Sequence, residues 1–534
     1  MKLKKIGVLL CFCHLVGLVF AQVPGMLLRE KADTPACKTW VETRLSEMTL
    51  KEKIGQLFIH TVAPLNTQQN RKNIQSAIKD FKVGGLLFSG GLLENQVNLT
   101  NWAQELSEIP LLMTFDGEWG LAMRLKGMIS FPKNRVLGCI QDNQLLYEYG
   151  KEVARQCRAI GVHVNFAPVA DVDNNPLNPV INTRSFGGDP KNVAEKVVAY
   201  SRGLEAGGVL SVSKHFPGHG DTNVDSHKAL PVLRFDRARL DSVELYPFRK
   251  IVEAGLGGVM VGHLEVPSLG KKPASLSSEI IGLLKKDMGF QGLVFTDALE
   301  MKGISNHVNV SAQALMAGND VLLVPRNLRR ELEGVLDAVK SGKLSEELIT
   351  EKCRKVLTYK YVLGLDKKPF IQLSGLEQRL KTTEAEHLLG RLEKAAITVV
   401  GNEGGILPLE TSLKKNVVLN IGKSTQGMDF YKRLKRYLSV DRIVATPDSI
   451  TTITKRLSKY DRVIVVVHTE KYGAYQPMLN SLAAKMPLIY VYMTPMKNLY
   501  NRGKEWRKAA AVILGHSNSA VVQYSLAEIL VGKE

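Results

Sequence analysis

Short apolar runs rich in β-branched residues recur along the first 330 residues. They are IGQLFIHTV (54–62), VGGLLFSG (83–90), PLLMTFD (110–116), VHVNFAPV (162–169), GVLSVSKH (208–215), GGVMVGH (257–263), GLVFTD (292–297) and NDVLLVP (319–325). Each of the first seven is followed by a stretch with helical periodicity before the next begins. In DNQLLYEYGKEVARQCRAIG (142–161), for example, apolar residues fall at helical spacing and Gly161 supplies a stop. Strands alternating with helices imply a parallel sheet. Eight such runs over about 270 residues predict a closed (β/α)8 barrel, a fold that typically takes around 250.

A barrel of this kind carries its chemistry at the C-terminal ends of its strands. Here those ends are polar: the third run closes on Asp116, the fifth on Lys214 and His215, the sixth on His263 and the seventh on Asp297. Asp171 and Asp173 follow the fourth. The loop leaving the fifth run, KHFPGHGDTNVDSHKALP (214–231), therefore belongs to the catalytic face.

Residues 351–392 read as largely helical, and LSGLEQRLKTTEAEHLLGRLEKAA (373–396) as a charged amphipathic connector. The strand rhythm then resumes at AITVVG (396–401), NVVLNIG (416–422), RVIVVVH (462–468), PLIYVYMT (487–494) and AAVILG (510–515), which predicts a second α/β domain, a sandwich. It contains neither GxxxxGK[ST] nor a GxGxxG after a strand. The expected organisation is an export signal over 1–21, an N-terminal segment over 22–48, the barrel over 49–366, a helical linker over 367–396 and the second domain over 397–534.

Composition narrows the function classes. With 45% hydrophobic and 23% charged residues, the 534-residue chain can build large cores and is not disordered. The formal charge of +19 is spread along the chain with no compact basic or aromatic-interleaved motif. That argues for a solvated basic surface rather than nucleic-acid binding, and it suits attraction to an acidic polymer such as a cell-wall glycan. The N-terminus, MKLKKIGVLLCFCHLVGLVFAQ, has a basic start, an apolar run and a small-x-small site at Val19-Phe20-Ala21, leaving Gln22 first. The run is short for a membrane span, and Cys11 sits too early in it for a lipid anchor. An exported protein, periplasmic or secreted, without stable membrane insertion is expected. Cys37, Cys139, Cys157 and Cys353 are widely spaced, so the cores must hold the fold without a disulfide framework.

The 214–231 loop admits two chemistries. Its histidines (His215, His219, His227) and aspartates (Asp221, Asp225) could coordinate zinc. Barrel metallohydrolases, however, gather ligands from several strands, starting with a His-x-His pair after the first, where this chain has only His60. The alternative is acid–base work. Asp225 and His227 stand two apart, so in an extended loop they face the same side, and a carboxylate beside an imidazole orients it and stabilises its protonated form. Asp297, on another strand end, suits a nucleophile or an electrostatic stabiliser. Two such groups flanking a glycosidic bond make a glycosidase. The structural alternatives are that Asp297 caps a helix beginning ALEMKG and that Asp225 and His227 only brace their loop.

KHFPGHGDTNVDSH (214–227) resembles the signature of the bacterial β-N-acetylhexosaminidases of glycoside hydrolase family 3. FDGEWGLAMRL (115–125), FAPVADVDNNPLNPVINTRSFGGDP (166–190), VMVGHLEVP (259–267), PASLSS (273–278), VFTDALEMKGI (294–304), AGNDVLLVP (317–325) and AAITVVGNEGGILPL (395–409) are similar to further family segments. The resemblance implies Asp297 as nucleophile, His227 as acid/base with Asp225 as its partner, and Asp116, Arg184, Lys214 and His215 as sugar-binding residues. Members acting on plain glucosides tend to lack the Asp-Ser-His and to carry Ser-Asp-Trp where this chain has Thr296-Asp297-Ala298, which favours a 2-acetamido sugar. DGEWG stands where Asp-x-Glu-Gly-Gly is more frequent, and Cys139 where a small residue is common. LAEILVGKE (526–534) ends the chain where relatives continue, so a shortened second domain is expected.

The resulting expectation is a retaining β-N-acetylhexosaminidase that needs no metal or cofactor. It would release terminal N-acetylglucosamine from oligosaccharides such as peptidoglycan fragments. A β-glucosidase of the same family and a non-catalytic glycan-binding barrel are the alternatives.

Overall fold

The computed structural model describes residues 30–226, 228–410, 414–446, 450–495, 506 and 508–533. The segment expected to be the export signal, and His227, lie outside the described residues.

Eight parallel strands form the first sheet: β1 (Phe58–Val62), β2 (Gly85–Phe88), β3 (Leu112–Phe115), β4 (Val164–Asn165), β5 (Leu210–Phe216), β6 (Gly258–Val261), β7 (Leu293–Thr296) and β8 (Leu322–Leu323). They are ordered β7-β6-β5-β4-β3-β2-β1-β8, and a Phe295–Val321 bridge brings β7 against β8. The sheet is thereby a barrel. Every residue of β2, β3, β5, β6 and β7 is buried. This is the two-sided burial that makes parallel strands read as unbroken apolar runs. Leu86, Met113, Phe166, Val212, Met260 and Phe295 meet in one core, with the Phe166 and Phe295 rings edge to face at 5.6 Å.

Outside the barrel, the helices Asn143–Ala159 and Pro190–Ala206 start on the side-chain caps of Asp142 and Asp189. They cross where Gly150 meets Gly203. A Cβ added to Gly150 would stand 2.4 Å from the Tyr200 carbonyl oxygen, so only glycine permits this approach.

The second sheet has six strands: β9 (Thr398–Asn402), β10 (Asn416–Ile421), β11 (Val440–Ala445), β12 (Arg462–Val467), β13 (Leu488–Tyr492) and β14 (Ala511–Leu514). Their order is β11-β10-β12-β13-β14-β9, with β9 antiparallel to β14 and the rest parallel. The sequence pattern predicted five of these and missed β11. Its residues VDRIVA alternate in burial, with Asp441 turned outward, because an edge strand needs fewer buried positions. The connector helix Thr383–Ala395 touches both halves: Arg391 bonds Glu148 at 2.6 Å and Glu393 accepts the Ser517 hydroxyl at 2.8 Å.

Candidate active site

A cavity of about 290 Å³ opens at the C-terminal ends of the barrel strands. Asp116, Arg184, Lys214, His215 and Asp297, all singled out in the sequence, line it together with Glu118. Its size suits a small ligand such as a sugar ring.

One wall is a network of charges. Lys214, near the end of β5, donates from Nζ to Asp116 Oδ1 at 2.9 Å and lies 3.0 Å from Glu118 Oε1. Arg124 donates to the second oxygen of Asp116 at 2.6 Å. Arg184 forks onto Glu118, with Nη2 to Oε1 at 2.7 Å and Nε to Oε2 at 3.0 Å. Burial pushes both carboxyls up, but the cations outweigh it. Lys214 and Arg124 hold Asp116 below the usual carboxylate range, and Arg184 and Lys214 hold Glu118 well below it. The same pairs raise Lys214 and Arg184 against the opposing effect of burial. All four groups are therefore ionised and fixed before any ligand arrives.

Asp297 follows β7 and faces this wall. Its amide donates to the Val261 carbonyl at 2.9 Å, and its Oδ1 accepts the Ala298 amide at 2.8 Å. Burial pushes its carboxyl up, but the charges of His215 and His263, the Ala298 amide and Lys214 bring it below the ordinary aspartate value. It is an anion beside a cavity that a ligand can enter. The helix expected to begin at ALEMKG does not form. Residues 297–301 are turn and coil, a short 3-10 turn spans Lys302–Ile304, and the next α-helix is Val310–Ala317. Gly303, Ser305, Asn306 and Asn309 explain this, since they favour turns over the helix that Ala-Leu-Glu-Met alone would support. Asp297 is thus not a helix cap.

A second wall is organised by Asp171, which is fully buried. Its Oδ2 lies 2.7 Å from His215 Nδ1, and its Oδ1 accepts the amides of His215 at 3.2 Å and His219 at 2.7 Å. A carboxylate only accepts, so Nδ1 of His215 carries the proton and Nε2 is left for the cavity. His219 is itself tied down, with Nδ1 2.9 Å from the Thr222 hydroxyl, and burial lowers its basicity. Asn178 donates to the carbonyls of His219 and Gly220 at 2.9 Å each.

Asp225 sits further along the same loop, where its carbonyl accepts the amides of Lys228 at 2.8 Å and Ala229 at 3.0 Å. The neighbouring Ser226 reaches the cavity. His227, its expected partner, lies outside the described residues. Among the described residues, no group of three or more His, Cys, Asp or Glu side chains is arranged to hold a metal.

Sequence reasoning gave no role to Glu118, Arg124 or Asp171. Glu118 could have been found by the spacing used for Asp225 and His227: Asp116 and Glu118 are two apart at the end of a strand and both meet Lys214. Asp171 stood out only as one of two carboxylates after the fourth run, two before Asp173; its partners lie 44 and 48 residues away, so the pattern could not show what it holds.

Comparison with known proteins bears on this geometry. Residues 49–359 match the Glycosyl hydrolase family 3 N terminal domain. The chain is 32% identical over 375 residues to Beta-hexosaminidase A of Pseudoalteromonas piscicida, an alignment covering 63% of this chain and 62% of that protein. It is 34% identical over 333 residues to Beta-hexosaminidase LpqI of Mycobacterium tuberculosis, covering 58% of this chain and 82% of the relative. The match thus spans less than two thirds of the Pseudoalteromonas protein's length. Among solved structures, a glycoside hydrolase family 3 β-N-acetylglucosaminidase from Paenibacillus sp. str. FPU-7 superposes with a TM-score of 0.72 at 30% identity, covering 91% of this chain and 97% of that one. The chain belongs to glycosyl hydrolase family 3.

Proposed function

We propose that this protein is a retaining exo-β-N-acetylhexosaminidase that removes terminal β-linked N-acetylglucosamine from oligosaccharides. The observation that carries the reading is the ionised, half-buried Asp297 facing the fixed Asp116–Lys214–Glu118–Arg184 network across one cavity. In this reading Asp297 attacks the anomeric carbon and forms a glycosyl-enzyme. His227, oriented by Asp225, protonates the departing oxygen and then deprotonates the water that releases the sugar. Asp116, Arg184, Lys214 and His215 bind the sugar hydroxyls through charge-assisted hydrogen bonds. Beta-hexosaminidase relatives support the substrate class. The basic N-terminal stretch followed by an apolar run supports export, and the +19 charge supports attraction to acidic cell-wall fragments.

A relative from Cellulomonas fimi named Beta-N-acetylglucosaminidase/beta-glucosidase, 26% identical over 385 residues, favours β-glucosidase as the second reading. Release of 4-nitrophenol from its β-N-acetylglucosaminide and from its β-glucoside separates the two. Faster release from the acetamido sugar is expected. A preference for the glucoside would replace the first reading with the second, and no release from either would leave a glycan-binding barrel.

A further inference from the structure

The loop expected to carry the acid/base leaves β5 and is held at its base from two sides. On one side stand Asp171 and Asn178, described above. On the other stands a second set of groups, built on the short helix Arg237–Ser242 and the turn after it.

Arg239 is the centre of that set. Its Nη2 donates to Asp221 Oδ2, on the loop, at 3.1 Å and to Glu244 Oε1 at 3.0 Å. Its guanidinium lies over the Phe235 ring at 4.5 Å. Its own backbone amide is held by Asp236 Oδ1, the cap of the helix, at 2.8 Å. Glu244 is buried and packs under the loop: a Cβ added to Gly218 would stand 2.8 Å from the Glu244 Cβ. Phe235, Asp236 and Glu244 therefore fix the arginine to the scaffold, and Asp221 is the side chain by which the loop is held to it. Downstream, the chain is caught again where Leu233 donates to the Glu265 carbonyl at 2.9 Å and Glu265 donates to the Pro231 carbonyl at 2.9 Å. Asp225 lies between these two attachment points, on a stretch that passes close to Gly303, where an added Cβ would stand 3.3 Å from the Ser226 carbonyl oxygen.

We infer that Arg239 is a positioning residue for the reaction. It does not line the substrate cavity, yet by fixing Asp221 it sets the course of the segment that carries Asp225 and reaches that cavity at Ser226. This inference rests on the acid/base assignment made under the proposed function. If the tether is lost, the scaffold and the sugar-binding wall remain, but the loop presents its proton donor less often. The deficit then follows the need for a proton. Sugar alcohols are poor leaving groups and depend on the acid, whereas 2,4-dinitrophenol leaves nearly unaided.

The experiment compares wild type, Arg239→Met, Arg239→Lys, Asp221→Asn, the Arg239→Met/Asp221→Asn double variant and His227→Ala. Each is assayed by kcat/KM on an N-acetylglucosamine disaccharide and on aryl N-acetylglucosaminides of graded leaving-group pKa. His227→Ala tests the underlying reading: if it lowers every substrate equally, the acid/base assignment fails, and with it the premise. With that control in order, Arg239→Met should lower the disaccharide by about 10- to 100-fold, the equivalent of one charge-assisted hydrogen bond, and the dinitrophenyl glycoside by less than about 3-fold. Asp221→Asn should do the same, the double variant should be no worse than either alone, and Arg239→Lys should recover part of the loss. An equal fall on all substrates would make Arg239 a residue of general stability. Unchanged kinetics would mean the loop is placed without it. Either result overturns the inference.

Discussion

Lys360 on the helix Glu346–Val362 is fully buried, and its Nζ donates to Gln56 Oε1 at 2.6 Å, close to the start of β1 and so at the end of the barrel away from the cavity. Gln56 is held in turn by donating to the Lys82 carbonyl at 2.9 Å. Burial pushes the Lys360 ammonium down from 10.5 to about 7. The folded state therefore binds this proton less tightly than the unfolded chain does. Between about pH 7 and pH 10.5 the unfolded chain holds more protons, so this group makes stability rise with pH across that window. Below pH 7 both states are charged and the full penalty is present, roughly 5 kcal/mol at 1.36 kcal/mol per pH unit. Lys360→Met keeps the length of the side chain and removes the charge. It also leaves Gln56 Oε1 without its donor, at about 1–3 kcal/mol. The variant should then be more stable than wild type by roughly 2–4 kcal/mol at pH 6, an order-of-magnitude figure from the two terms. The gain should vanish or reverse near pH 10. Urea unfolding of both proteins from pH 6 to pH 10, followed by tryptophan fluorescence, measures the difference. A wild type that is the more stable at pH 6, or a difference that does not change with pH, would refute the account. Glycosidase activity should not move, because Lys360 is remote from Asp297.

Three further outcomes are expected. Asp297→Asn should fold normally, since Asp297 caps no helix, while turnover falls by roughly 10³-fold or more; a 2-fluoro sugar should label the wild-type peptide containing Thr296-Asp297-Ala298, and a label elsewhere would move the nucleophile. Glu118→Gln strips the anionic partner from Arg184 and one from Lys214, and by the usual cost of breaking a buried ion pair it should lose about 3–5 kcal/mol of stability and raise KM; a melting temperature equal to wild type would show the network to be less buried than its geometry implies. Dialysis against a chelator should leave activity intact, and a loss restored by zinc would overturn the proposed mechanism.

The barrel was legible in the sequence because its strands are covered on both faces. GGVMVGH and GLVFTD are apolar almost throughout for that reason, and the polar residue that ends each of them marks the cavity side. Asp116, Lys214, His215 and Asp297 could be read in this way. β11 could not, because Asp441 and Arg442 interrupt its apolar run at the sheet's edge. The stretch after Asp297 misled for the opposite reason: Ala298 to Met301 are good helix formers locally, but Gly303 and the Asn residues beyond them turn the chain. Glu118 and Asp171 owe their importance to partners brought together only by folding. Arg184 is 66 residues from Glu118, and His215 is 44 from Asp171, so no local window contains either pair.

The three hydrogen bonds gathered on Asp171 have an evolutionary corollary. One carboxylate fixes the ring of His215, the backbone that carries that ring and the amide of His219 at the root of the loop that leaves β5. Under the proposed function, sugar preference and acid delivery are therefore inherited together at this position: a substitution of Asp171 would alter both at once, and no single compensating change elsewhere restores three contacts. Diversification of the substrate has an easier path on the opposite side of the cavity. There Asp116 is partly exposed, Arg124 and Lys214 divide its two oxygens between them, and either contact can be altered without disturbing the loop. Variation in specificity among descendants of this chain is expected to collect around Asp116 and Arg124, while Asp171 stays fixed.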